Sequence, residues 1–543
     1  MIKKVSELLF ILFVFLSFVV TTYEPPWRNS SMEFFAFLAV VTIVVRDCFV
    51  GEKLKINNIS IFFIIFILIS LVRLFYGEEI YSENFWMAFL FSIFGILFVS
   101  SFANFKNDIG RNFLIVLIFS SVFSSVIILC QFFEIYEFLD IWKAGYDSSR
   151  GRPYANFGQP NLAASLILTG MCCIIYFYRK SIIGKITVIS VFFLMSSALA
   201  FASSKTSFLS LFLILVLCIC FKSWFETFVI IFSGLVIFIS KNIFETRNIL
   251  AEGDLSTGRF ELWGTIVDAI FRHPLVGYGV LNTRAAHFEV VENHFVQHGV
   301  MIGSAHNLFL DFFVWFGIPL GFVLVIFWGW IHFSFFKKNK KNFSLLLLPL
   351  PIMVHSMLEY PLFNANFLFA YLALMTIGIK DIKETKIPMF IVSIVPLVLF
   401  FCITKEYLLF SSKYRELRYF NANFLKSKEP EKIESIFLND IYGQYNLFAS
   451  NSINNDEEFH SLKRIIKIEP VEKNFCLFFN YISSNNLNEE LVLINKKANA
   501  LFNKEQLNYI QSCYLNKSDF PPRFSSTLIP PITIPLSTAL HIS

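Results

Sequence analysis

The chain has 543 residues, a formal net charge of +5, 56% hydrophobic residues and only 16% charged residues. A soluble domain carries about 25% charged residues, so the composition excludes a water-soluble globular protein and points to a membrane protein. The small charge excess gives no reason to expect a nucleic-acid partner, and the 70 Phe read as lipid-facing bulk.

A spanning helix needs about 20 mostly apolar residues. By that rule spans are expected near 8–22, 32–45, 57–74, 85–103, 113–133, 162–178, 186–202, 206–221 and 228–240. The first begins after Lys3 and Lys4, and no small-residue cleavage site precedes Tyr23-Glu24-Pro25-Pro26, so it reads as an uncleaved helix. A polar interval, 241–305, follows, and then further spans near 306–335, 343–357, 364–379 and 387–403. The expected fold is an all-α polytopic membrane protein of about 12–14 transmembrane helices. After Cys402 charged and amide residues replace the apolar runs, so residues 1–403 form the transmembrane domain and 404–543 a soluble, mostly helical C-terminal domain. Helical spacing within Lys432–Leu438 and the run Leu491–Ile494 supports that reading, while Phe520-Pro521-Pro522 and Ile529-Pro530-Pro531 mark an extended end.

Basic residues are retained on the cytoplasmic side. With the N-terminus inside, the inner loops hold 18 Lys and Arg, from Lys3 to Lys386, and the short outer loops hold six: Arg28, Arg73, Lys143, Arg150, Arg152 and Lys205. The loop 241–305 and the C-terminal domain then face the periplasm. Seven of the nine Cys lie in or beside apolar runs and read as packing residues, whereas Cys476 and Cys513 can pair if the tail is periplasmic.

Five polar motifs fall on the outer face, with His294, His298 and His306 counted as one. Arg150 and Arg152 precede Asn156, Gln159 and Asn161 at the head of a helix, whose exposed amides attract anions; interfacial snorkelling of the two Arg is the alternative. Lys205 in Ser203-Ser204-Lys205-Thr206-Ser207 either anchors lipid phosphate or holds a diphosphate. Ser256 or Thr257 can cap an amphipathic helix with Arg259, Leu262, Trp263 and Ile266 on one side, lying on the membrane with Arg259 near the headgroups. His294 and His298 stand at zinc-ligand spacing but lack the Glu or Cys partners of a metal site. His306 opens an apolar helix, as a cap or as a proton acceptor with a near-neutral pKa. Finally, His355, Glu359 and Tyr360 interrupt an apolar run, where ionisable groups are costly and face a bundle interior or wet cavity. Chance would scatter these motifs over both faces, so they read as one outer site.

These residues resemble the bacterial protein O-oligosaccharyltransferases of the PglL type, related to O-antigen ligases and Wzy polymerases. The likeness rests on Arg152-Pro153-Tyr154 through Gln159-Pro160-Asn161-Leu162-Ala163, on His306-Asn307-Leu308-Phe309-Leu310 and on His355-Ser356-Met357-Leu358-Glu359-Tyr360-Pro361-Leu362. It implies an inner-membrane enzyme that joins an oligosaccharide from undecaprenyl diphosphate to Ser or Thr of an exported protein such as a pilin, without cofactor or metal. By motif, Gln159, His306 and Tyr360 are the catalytic residues. Arg259 matches a position that holds the lipid diphosphate, Lys205 stands where the family usually has Arg, and Arg152, Asn161, Glu359 and His355 complete the substrate site. On this reading His306 takes the hydroxyl proton and Glu359 polarises His355 or His306. An O-antigen ligase or polymerase with a sugar acceptor is the alternative; a lipid-linked sugar flippase would need polar residues through the membrane depth.

Overall fold

A computed structural model describes residues 2–21, 26–27, 29–76, 81–104, 108–135, 152–244, 257–294, 301–379, 381–422, 430–450, 452–453, 455–485 and 488–515. In hydrocarbon no water satisfies backbone groups, so apolar runs must close their hydrogen bonds internally as helices. They form α1 (Ile2–Val19), α2 (Ser30–Val50), α3 (Asn58–Tyr76), α4 (Ser82–Asn104), α5 (Asp108–Phe132), α6 (Pro160–Arg179), α7 (Lys185–Ala202), α8 (Lys205–Cys220) and α9 (Trp224–Ile243). The polar interval adds α10 (Thr257–Arg272) and α11 (Thr283–Val290); then come α12 (Leu308–Asn339), α13 (Phe343–Leu347), α14 (Leu350–Ser356), α15 (Ala365–Gly378) and α16 (Met389–Asn421). Five more, α17 (Asn439–Ser450), α18 (Asp456–Ile468), α19 (Glu472–Asn485), α20 (Asn488–Leu501) and α21 (Lys504–Leu515), make up the tail.

The protein is therefore a multi-pass, all-α membrane protein. Among the described residues eight helices (α3 to α7, α9, α12 and α16) are long and apolar enough to cross a membrane, and Lys205–Cys220, Phe343–Ser356 and Ala365–Gly378 are shorter apolar stretches. α1 carries Lys3, Lys4 and Glu7, and α2 carries Glu33, Arg46 and Asp47. α6 and α15 are buried along nearly their whole length and form the centre of the bundle.

Contacts between distant loops sort into two ends. At one, β1 (Lys53–Ile56) pairs antiparallel with β2 (Lys383–Pro388), setting Lys55 opposite Glu384 and Ile56 opposite Lys383. Asn104 Nδ2 donates to Asp47 Oδ2 at 2.7 Å, Arg179 pairs with Glu226, and Lys338 with Asp381. These are the Lys- and Arg-rich loops. At the other end Asn156 Nδ2 donates to Phe18 O (2.7 Å), Asn366 Nδ2 to Ser17 O (2.9 Å), Asn29 Nδ2 to Asn364 Oδ1 (2.9 Å) and Arg152 Nη1 to Ser203 O (3.1 Å). The alternation expected from loop charge is the alternation of contacts.

α12 is broken by design of its sequence. Pro319 has no N–H for Trp315 O, and Gly317 adopts φ +73. The loop 274–279 repairs the gap: Gly279 N donates to Trp315 O (2.9 Å), Tyr278 N to Val314 O (2.8 Å), and Pro274 O accepts from Ile318 N (2.7 Å). The two backbones touch through glycine, since a Cβ on Gly277 would meet Val314 O at 2.5 Å and one on Gly317 would meet Leu275 C at 2.5 Å.

α16 has 33 residues, about 50 Å, which exceeds the ~30 Å hydrocarbon core. Beside Tyr407, which stacks on Trp27 at 4.6 Å, its Glu406 carboxylate accepts from Ser435 Oγ (2.6 Å) and the amides of Ile436 and Phe437 (3.1 Å each). Lys432–Leu438 is consequently not the helix its spacing suggests: Glu406 takes its amides, and Asn446 pairs with both N and O of Ile433. Leu491–Ile494 lies within helical α20, and Cys476 and Cys513 form a disulfide with Cα atoms 5.5 Å apart. Residues 516–543, with both Pro-Pro motifs, lie outside the described residues.

Gly277→Ala or Gly317→Ala should destabilise the fold by roughly 2 kcal/mol or more, from the left-handed backbone plus the backbone clash. Gly329→Ala, in open space within α12, should be neutral or stabilising by up to ~1 kcal/mol. Thermal unfolding of the three detergent-solubilised variants distinguishes these outcomes.

Candidate active site

Four segments meet on one carboxylate. α14 ends as Leu358 N and Glu359 N turn back onto His355 O (3.0 and 2.8 Å), and Pro361 prevents the helix from resuming. Glu359, 4% exposed, receives His306 Nδ1 at 2.9 Å, Asn161 Nδ2 at 3.2 Å, Arg259 Nη2 at 3.3 Å and Gln159 Nε2 at 3.4 Å. Glu359 thus partners His306. His355 is fully buried and turns elsewhere, its Nδ1 2.7 Å from Ser165 Oγ on α6.

Local sequence frees each donor for this task. Gln159 occupies the N-cap position of α6, with Pro160 at the first turn, yet its side chain makes no cap bond and reaches Glu359 instead. Asn307 caps α12 by accepting from Phe309 N (3.0 Å) and Leu310 N (3.2 Å), so His306 has no capping duty. His306 is held in a left-handed conformation, φ 50. Asp311 stabilises that turn: it accepts Ala305 N (2.9 Å), Ser304 Oγ (2.9 Å) and Thr283 Oγ1 (3.1 Å), while Ser304 Oγ accepts His306 N (3.0 Å). The Tyr360 ring stands edge-on to His306 with centroids 5.3 Å apart.

Charge follows geometry. Burial raises the Glu359 carboxyl, but the imidazole of His306, helped by His355 and Arg259, outweighs it and brings the pKa down from 4.5 to about 2. Burial lowers the His306 imidazole, and the Glu359 charge and hydrogen bond more than reverse this, so its pKa is raised. With Nδ1 bound to Glu359, Nε2 is the ring nitrogen presented for proton exchange.

The remaining expected residues lie beside this centre. Arg152 Nη1 binds Ser203 O (3.1 Å), joining the 152–161 loop to the turn that carries Lys205, and Lys205 opens α8, which packs against α6 and α14. α10 lies the other way round from expectation. Ile266 is fully buried and Trp263 Nε1 donates to Ala305 O (3.1 Å), so that side faces protein, while Phe260 and Phe271 are exposed. Facing inward is what brings Arg259 to Glu359. Arg150, Ser256 and His298 lie outside the described residues. His294 pairs with Asp268 at 2.9 Å, and no metal-ligand cluster occurs among the described residues.

Sequence reasoning missed Asp311, Ser165 and Gln131. Gln131 Oε1 accepts Tyr154 N (3.1 Å) and Ala155 N (2.9 Å), and its Nε2 donates to Ala155 O (2.7 Å), fixing the loop that leads to Gln159. An acid inside an apolar helix was a usable signal for Asp311; Ser165 and Gln131 gave none.

Residues 190–326 match the family model for O-Antigen ligase, 153–173 that for Protein glycosylation ligase, and 343–452 that for Virulence factor membrane-bound polymerase, C-terminal. Three stretches of the chain are thus similar to ligase and polymerase families, and the residues gathered on Glu359 fall within them. It is 28% identical over 363 residues to the ComP-specific O-oligosaccharyltransferase of Acinetobacter baylyi, covering 62% of this chain and 64% of that relative. It is 27% identical over 243 residues to the General O-oligosaccharyltransferase of the same organism, covering 40% of this chain and 42% of that relative. Each match spans less than two thirds of the relative.

Glu359→Gln removes the charge that raises His306 and leaves burial dominant, so the His306 pKa should fall. The histidine Cε1–H NMR shift against pH reads this. By linkage, the depressed Glu359 stabilises the fold above its unfolded pKa of 4.5 and that contribution fades as pH falls toward about 2. The raised His306 stabilises below 6.5 and that contribution is lost as pH rises through its folded value. The variant should therefore lose most stability between these limits.

Proposed function

We propose that the protein is a glycosyltransferase that moves an oligosaccharide from undecaprenyl diphosphate to Ser or Thr hydroxyls of an exported protein, at the periplasmic face of the bacterial inner membrane. The observation that carries the reading is the single buried Glu359 carboxylate shared by His306 and Arg259, one suited to a proton and the other to a phosphate. The similarity to two O-oligosaccharyltransferases supports it. The Cys476–Cys513 disulfide supports an oxidising compartment for the C-terminal domain, 404–543.

The acceptor hydroxyl attacks the anomeric carbon, the bond from that carbon to the diphosphate oxygen breaks, and the electron pair leaves with the diphosphate. His306 Nε2 takes the hydroxyl proton, and Glu359, bonded to Nδ1, holds the tautomer and stabilises the imidazolium formed. Arg259 is one-third exposed, and the part of its fork not bound to Glu359 takes a diphosphate oxygen. Lys205 and Arg152 add positive charge on the same side. Gln159 and Asn161 hold Glu359 from the head of α6, and Tyr360 walls the sugar beside His306. His355 supports the α6–α14 junction through Ser165. The donor's own diphosphate is the leaving group, so the scheme uses neither nucleotide nor metal, and direct displacement inverts the anomeric centre.

The match of 343–452 to a membrane-bound polymerase model favours, as a second reading, a sugar acceptor with the same donor. A flippase fits less well, because the Glu359 cluster sits at one end of the bundle. His306→Ala should cut transfer by about 10²–10⁴-fold, and Arg259→Lys should lose the fork that spans Glu359 and the diphosphate and raise the donor KM. Mass spectrometry of exported proteins with and without the gene tests the acceptor; unchanged protein glycans with lost lipopolysaccharide O-chains would overturn the protein-acceptor reading. Retained anomeric configuration, or full activity in His306→Ala, would overturn the mechanism.

A further inference from the structure

We infer that the C-terminal helices set the position of His306 through α11, with Arg284 and Glu469 as a positioning pair. α11 has eight residues, too few for a helix to hold its own shape in water, so its placement depends on what grips it. Two grips come from the tail. The Glu469 carboxylate and Ile468 O (3.2 Å), at the C-terminal end of α18, take Arg284 Nη1. Lys497 of α20 donates to the carbonyls of Phe288 (2.8 Å) and Glu289 (2.9 Å) at the end of α11 and pairs with Glu292 at 3.0 Å. Arg284, Glu469 and Lys497 are 5%, 8% and 6% exposed, so water screens these contacts little.

α11 in turn grips the catalytic turn. Thr283 Oγ1 donates to Asp311, the carboxylate that also binds Ala305 N and Ser304. Gly303 lies against Arg284, where an added Cβ would come within 3.4 Å of Nε. The chain of contacts runs from Glu469 and Lys497 through α11 and Asp311 to Ser304 Oγ, which accepts His306 N. None of these tail residues touches the reacting atoms; they hold the backbone that aims the imidazole. Loss of the grip should leave donor binding by Arg259 in place and misdirect His306.

The test uses the full chain in nanodiscs with Glu469→Gln, Glu469→Asp and Lys497→Met, read by hydrogen exchange of 301–306 and by transfer kinetics. The kinetic arm rests on the proposed activity; the exchange arm does not, so the two failures are distinguishable. Glu469→Gln and Lys497→Met should speed exchange at 301–306 by about tenfold or more and lower kcat by about tenfold with donor KM within about twofold. Glu469→Asp should regain most of the kcat. Unchanged exchange at 301–306 in both variants overturns the inference, and so does a loss carried entirely by KM.

Discussion

A carboxylate taken out of water must be compensated at close range, because its desolvation penalty amounts to several kcal/mol. Glu359 meets that requirement with four donors drawn from the head of α6, from α10 and from the turn before α12. The donors come from three separate stretches of chain, so this end of the bundle is compensated when all three pack around Glu359. The same constraint sets an imidazole and a guanidinium on the two oxygens of one anion.

Left-handed backbone borders the site. Ala155, Ser203 and His306 all have positive φ, at a cost of about 1–2 kcal/mol for each residue that is not glycine. Each is tied by a buried or half-buried polar group: Gln131 brackets Ala155, Arg152 binds Ser203 O, and Asp311 organises the turn of His306. The left-handed turns bend the loops back over the helix ends, and that is how Gln159, Lys205 and His306 come to share one end of the bundle.

The framework answers to the same logic of backbone satisfaction. The break in α12 is repaired by the loop after α10, which couples that loop to a spanning helix. Glu406, about midway along the over-long α16, organises the start of the tail that grips α11. The site therefore depends on contacts that run from the spanning helices into the tail and back.

Much of this was legible in the chain itself. Apolar runs dictate helices because hydrocarbon allows a backbone little else, and the Lys and Arg bias of alternating loops assigns five polar motifs to one face. The grouping of Gln159, Arg259, His306 and Glu359 follows from that face. Composition and periodicity are local quantities, however, and they do not say which side chains meet. Whether Glu359 would take His306 or His355, which side of α10 would turn inward, and whether Lys432–Leu438 would be helical were decided by partners 29 to 200 residues away. Only the packed bundle brings those partners within the roughly 3 Å over which a hydrogen bond acts, so only the tertiary structure could choose among them.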